Sequence, residues 1–256
     1  MRPNRKYIAT IKTIFLFYRN PYSYLNKGLR DSVKERVILM RDAFAMCISS
    51  TLAIVLLITV IEMILKYGFN TSIAKNLNQN RNEFKSANPS GWVSFIKICL
   101  LGPFNEEFLF RLLLITKSQI WNVIIFLILI GYLILNLFHL QISFLWYHVT
   151  IVLIFVAVLI GNGIDHSNYQ PIFEKKNYNY LCWVLILGFG MIHLGNFVPL
   201  NWSVFYLYPV YILPQFMYGI VFSYLAIRYN SMIWPFLLHA GINSMAEIYK
   251  FLNGVS

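Results

Sequence analysis

In this chain of 256 residues, the side chains able to do chemistry fall in three short clusters, each inside an apolar run. The first is Gly102-Pro103-Phe104-Asn105-Glu106-Glu107-Phe108-Leu109-Phe110-Arg111. Ionisable groups are expensive inside a bilayer, so each one in such a run is a functional candidate. On a helix Glu107 and Arg111 are i,i+4 neighbours in the favourable acid-before-base order. Glu106 points about 100° away from Glu107. The spacing therefore pairs Glu107 with Arg111 and leaves Glu106 to face a cavity or another helix, as a general base must. The same residues also read as a structural ion pair with one glutamate reaching for the membrane edge.

The second cluster is Phe189-Gly190-Met191-Ile192-His193, late in an apolar run. The third is His239-Ala240-Gly241-Ile242-Asn243, where His239 and Asn243 share one helix face. Two polar groups on one face could stabilise a developing oxyanion. They could equally be polar glue between helices. Pro235 stands four residues before His239 and is expected to kink or open that helix. There is no His-Glu-x-x-His zinc helix and no phosphate-binding glycine loop. A candidate base, two imidazoles and an amide suit hydrolysis of an amide bond, but composition and periodicity go no further than that inventory.

The elements that would position these groups are membrane spans. Hydrophobic residues make up 58% of the chain and charged ones 12%, and the mean hydropathy is +0.60. Soluble domains carry about 25% charged residues. The expected fold class is therefore all-α, a polytopic integral membrane helical bundle. Seven runs approach the ~20 apolar residues of a spanning helix: Ala43–Leu65, Trp92–Ile115, Ile120–Phe138, Ile142–Ile160, Tyr180–Val198, Val204–Ile227 and Ser231–Tyr249. The Lys66–Ser90 stretch reads as an exposed loop. Cys47, Cys99 and Cys182 all lie in apolar runs, which suggests neither a disulfide framework nor a zinc knuckle.

The net charge is +11, and ten of the 21 Lys and Arg fall in residues 1–42. No nucleic-acid-binding module accompanies them, so no nucleic-acid partner is expected. Ile8, Ile11, Ile14, Phe15 and Tyr18 recur at helical spacing there. The chain is accordingly divided into a basic segment, 1–42, suited to an interfacial amphipathic helix, and a transmembrane domain, 43–256. Basic residues favour the cytoplasmic side, which puts the N-terminus inside.

In order, Glu106-Glu107-x-x-x-Arg111, Phe189-x-x-x-His193 and His239-x-x-x-Asn243 resemble the three motifs of the CPBP family, the type II CAAX prenyl endopeptidases and the Abi bacteriocin-processing or immunity proteins. The resemblance spans roughly residues 92–248. It implies an intramembrane endopeptidase in which Glu106 activates water, His193 helps hold that water, and His239 with Asn243 forms an oxyanion hole. Glu107 and Arg111 would support the first helix. No cofactor and no metal are expected, since one carboxylate and two imidazoles without a local ligand pair are thin for zinc. One departure stands out. The first two motifs usually lie about a helix hairpin apart, whereas His193 follows Glu106 by 87 residues. Inserting Ile120–Phe138 and Ile142–Ile160 would preserve the antiparallel relation. His139 has the more usual spacing, but Leu135 replaces the motif's Phe, so His193 is preferred.

The expected partners are the lipid bilayer and a membrane-associated peptide or protein substrate, and the expected location is a bacterial plasma membrane. The alternative is a non-catalytic scaffold or immunity protein with the same fold.

Overall fold

The computed structural model describes residues 3–87, 91–115 and 173–252, together with a few positions between 124 and 131. Among the described residues there are helices and no strands. Two of the seven expected spans, Ile120–Phe138 and Ile142–Ile160, lie outside them almost entirely, as do His139, His148 and His166.

Helix α1 (Pro3–Arg19) buries Ile14 and Phe17 completely in the main core. Ile8, Phe15 and Tyr18 face outward. The apolar positions noted at helical spacing thus divide between the bundle and its surroundings. Helix α2 (Val33–Phe69) starts with a capping box: Ser32 accepts from the Glu35 N–H, and Glu35 accepts from the Ser32 N–H. That reciprocal pair satisfies two orphan donors. The helix ends where Asn70 turns into the left-handed region at φ 50°, a conformation asparagine tolerates. Its 37 residues extend about 55 Å, well beyond the ~30 Å hydrocarbon thickness.

Residues 66–90, expected to be an exposed loop, contain helix α3 (Ala74–Ala87). Glu62 anchors its start, accepting hydrogen bonds from the N–H groups of Ile73 and Ala74, the Ser72 hydroxyl and the Tyr211 hydroxyl. Asparagines on α3 then bind backbone further along the chain. Asn76 donates to the Pro199 carbonyl, and Asn80 donates to those of Asn196 and Val198. A polar stretch therefore folds here because its amides match carbonyls that an irregular segment leaves unpaired.

The expected span Trp92–Ile115 is assembled from three pieces: α4 (Gly91–Ile96), a π turn (Lys97–Leu101) and α5 (Gly102–Ile115). Helix α6 (Lys175–Ile192) runs into a 3-10 segment, His193–Phe197. The expected continuous span Val204–Ile227 is broken. A 3-10 segment (Trp202–Leu207) leads to α7 (Tyr208–Tyr211), and only then does α8 (Leu213–Tyr229) begin. Pro209 and Pro214 stand in the first turns of α7 and α8, where proline's missing N–H costs nothing. Helix α9 (Ile233–Leu252) completes the described chain. Pro235 lies in its first turn as well, so the kink expected there does not occur.

Three described segments are long and apolar enough to cross a membrane: Val33–Phe69, Lys175–Phe197 and Trp202–Tyr229. Tyr67, Phe69, Trp92, Trp202 and Tyr206 are exposed where α2 ends and where α4 and the 202–207 segment begin. Exposed aromatics of this kind suit a membrane–water boundary. The protein is an all-α integral membrane bundle.

Candidate active site

Helices α5, α6, α8 and α9 converge on one polar centre. Close packing of α6 makes the approach feasible. A Cβ on Gly190 would lie 2.3 Å from the Phe216 ring of α8, and one on Gly188 would lie 3.2 Å from the Phe110 ring of α5. Only glycine admits both neighbours at those distances.

Glu106 and Glu107 separate as their helical spacing requires. Glu107 and Arg111 are both fully buried, with Arg111 Nε 3.3 Å from Glu107 Oε2. Glu107 has a second partner that the local spacing does not reveal, because His239 Nδ1 lies 2.9 Å from Glu107 Oε1. A carboxylate only accepts, so the imidazole donates its Nδ1–H. The Arg111 guanidinium lies 4.0 Å from the Phe189 ring centroid and 5.5 Å from that of Phe222. Aromatic faces at these distances attract a desolvated cation. Phe222 also stacks on the His239 ring, with centroids 4.8 Å apart at 27°.

The Glu106 side chain is 21% exposed. Its Oε2 is 3.7 Å from His193 Nε2 and 3.9 Å from His239 Nε2, and it makes no hydrogen bond. Those separations exceed a hydrogen bond and fall within the span of one bridging water. His193 Nδ1 donates to the Phe189 carbonyl oxygen at 2.8 Å. In the neutral ring this leaves Nε2 as an acceptor facing Glu106. Water, with two donors, can satisfy both acceptors at once.

Glu106, His193 and His239 are therefore brought together, while Glu107 and Arg111 form a buried support beneath them. Asn243 lies one turn beyond His239, and its Nδ2 donates to the Ile98 carbonyl oxygen at 2.9 Å. Phe222 and the Lys97–Leu101 π turn were not anticipated. Phe222 carries no local signal, since its role exists only once α8 meets α5 and α9. Pro103 stands two residues after the π turn and by itself does not signal it. Among the described residues, no group of three His, Cys, Asp or Glu is arranged to hold a metal ion.

Fold and site together define a polytopic helical membrane protein with a carboxylate–imidazole centre inside its bundle. Residues 167–245, under a third of the chain, are similar to the family described as type II CAAX prenyl endopeptidase Rce1-like. The matched stretch holds His193, His239 and Asn243 and begins after Glu106. No curated protein and no solved structure matches the chain.

Proposed function

We propose that the protein is an intramembrane, glutamate-dependent endopeptidase acting on a membrane-associated peptide or protein. The observation that carries this reading is the position of Glu106 Oε2, unbonded and 3.7 and 3.9 Å from two imidazole nitrogens. A water touching Glu106 and His193 gives one proton to Glu106 as its oxygen attacks the scissile carbonyl carbon. The carbonyl electrons move onto oxygen. That oxyanion accepts hydrogen bonds from His239 Nε2–H and from the second amide N–H of Asn243. Collapse expels the amine, which takes the proton from Glu106, and leaves a new carboxyl terminus.

His239 gives Nδ1–H to Glu107, so donating to the oxyanion from Nε2 as well requires the doubly protonated ring. Before the attack Glu107 and Glu106, on either side of it, supply the compensating charge, and once Glu106 has taken the proton the oxyanion replaces it. Glu107 and Arg111 thus act through His239 and do not meet the substrate.

Residues 1–42 form the cytoplasmic edge in this reading. The outward-facing Ile8, Phe15 and Tyr18 of α1 meet the interface of a plasma membrane, bacterial in the reading preferred here, beside the exposed Lys12 and Arg19. The competing reading is a non-catalytic scaffold or immunity protein. It draws on the donors that His239 and Asn243 already give to the bundle.

The deciding experiment compares protein termini in membranes from cells carrying the wild type or Glu106→Ala at matched expression. New termini present only with the wild type are expected. Identical termini, with both proteins folded, would overturn the protease reading in favour of the scaffold.

A further inference from the structure

The π turn before Glu106 creates a problem in backbone bonding, and the last helix supplies the answer. In an α-helix the Ile98 carbonyl would accept from the Gly102 N–H. Here the Gly102 N–H bonds the Lys97 carbonyl instead, five residues back. A Cβ on Gly102 would lie 3.2 Å from that oxygen, so a glycine suits the close approach. Continuing the π pattern, the Ile98 carbonyl would need the N–H of residue 103. That residue is proline and has none. The Ile98 oxygen is thus stripped of both backbone partners by its own sequence, and Asn243 Nδ2 donates to it at 2.9 Å.

The rotational setting of α5 depends on this turn. A π turn takes up one residue more than an α turn, and one residue corresponds to about 100° of rotation. If the turn reverted to α-helix, α4 and α5 would rotate by that amount relative to each other. Glu106 would then leave its place opposite His193 and His239, or Trp92–Ile96 would turn to a different face.

We propose that Asn243 is a positioning residue that splints the Lys97–Leu101 π turn by bonding the carbonyl Pro103 cannot serve, and so fixes the direction in which Glu106 points. This goes beyond an oxyanion role, which uses only the second N–H of the same amide. It rests on the protease reading for its effect on cleavage, and not for its effect on stability.

The test is a double-mutant cycle on the full-length protein in detergent, using Asn243→Ala and Pro103→Ala. Alanine at 103 restores an N–H within reach of the Ile98 carbonyl and makes the splint redundant. In the wild-type background Asn243→Ala is expected to lower the unfolding midpoint by several degrees and cleavage by at least tenfold. With Pro103→Ala present, the midpoint loss is expected to shrink to less than half, and the cleavage loss to shrink to the part owed to the missing oxyanion donor. Equal midpoint losses in the two backgrounds would overturn the inference, because a purely oxyanion donor does not couple in stability to a backbone N–H on α5.

If Asn243→Ala does not fold, Asn243→Leu, near in volume and lacking a donor, takes its place. Folding of either only with Pro103→Ala supports the splint, and folding of neither in either background overturns it. Coupled midpoints with no cleavage by the wild type would sink the protease reading alone. Cleavage by the wild type with additive midpoint losses would sink the splint alone.

Discussion

His193 donates its Nδ1–H to the carbonyl oxygen of Phe189, one turn back on the same helix, at 2.8 Å. That bond fixes which nitrogen carries the proton. In the neutral ring the lone pair on Nε2 faces the Glu106 carboxylate, so two acceptors meet across 3.7 Å. A molecule with two donors can bridge them from one side, and water is the one the proposed reaction needs.

Glu106→Gln keeps the shape of the side chain and removes its basicity. Cleavage is expected to fall by about 10²–10⁴-fold, the usual worth of a positioned general base, while the unfolding midpoint changes little. The checks are a cleavage assay on reconstituted protein and a thermal melt. A glutamine variant that cuts at the wild-type rate would rule out Glu106 as the base.

Its neighbour should behave in the opposite way. Glu107 is fully buried between Arg111 and His239, and truncating one partner of a buried pair strands the other charge. Glu107→Ala is expected to cost about 3–5 kcal/mol of stability, far more than Glu106→Ala. Melting the two variants side by side tests this, and equal midpoints would contradict the buried support described above.

Gly190→Ala places a methyl group against the Phe216 ring, 2.3 Å away before relaxation. Overpacking of this kind is expected to cost about 1–3 kcal/mol. Gly195→Ala, with nothing within 4 Å of its added Cβ, serves as the control and should melt within a degree of the wild type. Chemical denaturation of both variants measures the difference.

Glu62 holds the start of α3 through two backbone N–H groups and two hydroxyls. Losing a cap costs about 1–2 kcal/mol, and an energy of that size changes a population by roughly 5–30-fold. Glu62→Ala is expected to speed amide exchange across residues 74–87 by that factor and leave α6 unchanged. Hydrogen exchange read by mass spectrometry tests it, and unaltered exchange in α3 would show that Glu62 is not its anchor.

What the sequence makes legible is set by distance along the chain. Glu107 and Arg111 are four residues apart, so their pairing follows from helix geometry alone. Phe189, four residues before His193, is likewise a local signal, since Leu135 stands at that place before His139; the structure puts His193 beside Glu106, and His139 lies outside the described residues. The bond from His239 to Glu107 crosses 132 positions, and no local periodicity encodes it. The π turn at Lys97–Leu101 is hidden for a similar reason, because its stabilising donor lies on α9. Other misses were local. Pro209 and Pro214 marked the break within Val204–Ile227, but a long apolar run masked them. Pro235 was given the wrong consequence, since helix α9 begins two residues before it and no earlier turn exists to be kinked. Residues 66–90 were too polar to suggest packing, yet Asn76 and Asn80 act through carbonyl pairing rather than burial.

The separation between Glu107 and His239 also imposes an order of events during biogenesis. Ribosomes add about 5–20 residues per second, so the first of these side chains precedes the second by roughly 7–26 s. Throughout that interval the nascent α5 carries Glu107 without the His239 partner of the folded site, and Ile98 awaits its side-chain donor. The segment is therefore less suited to lipid before α9 arrives, and α9 closes the polar centre. The proposed site thus stays incomplete until α9, which carries both His239 and Asn243, has been made.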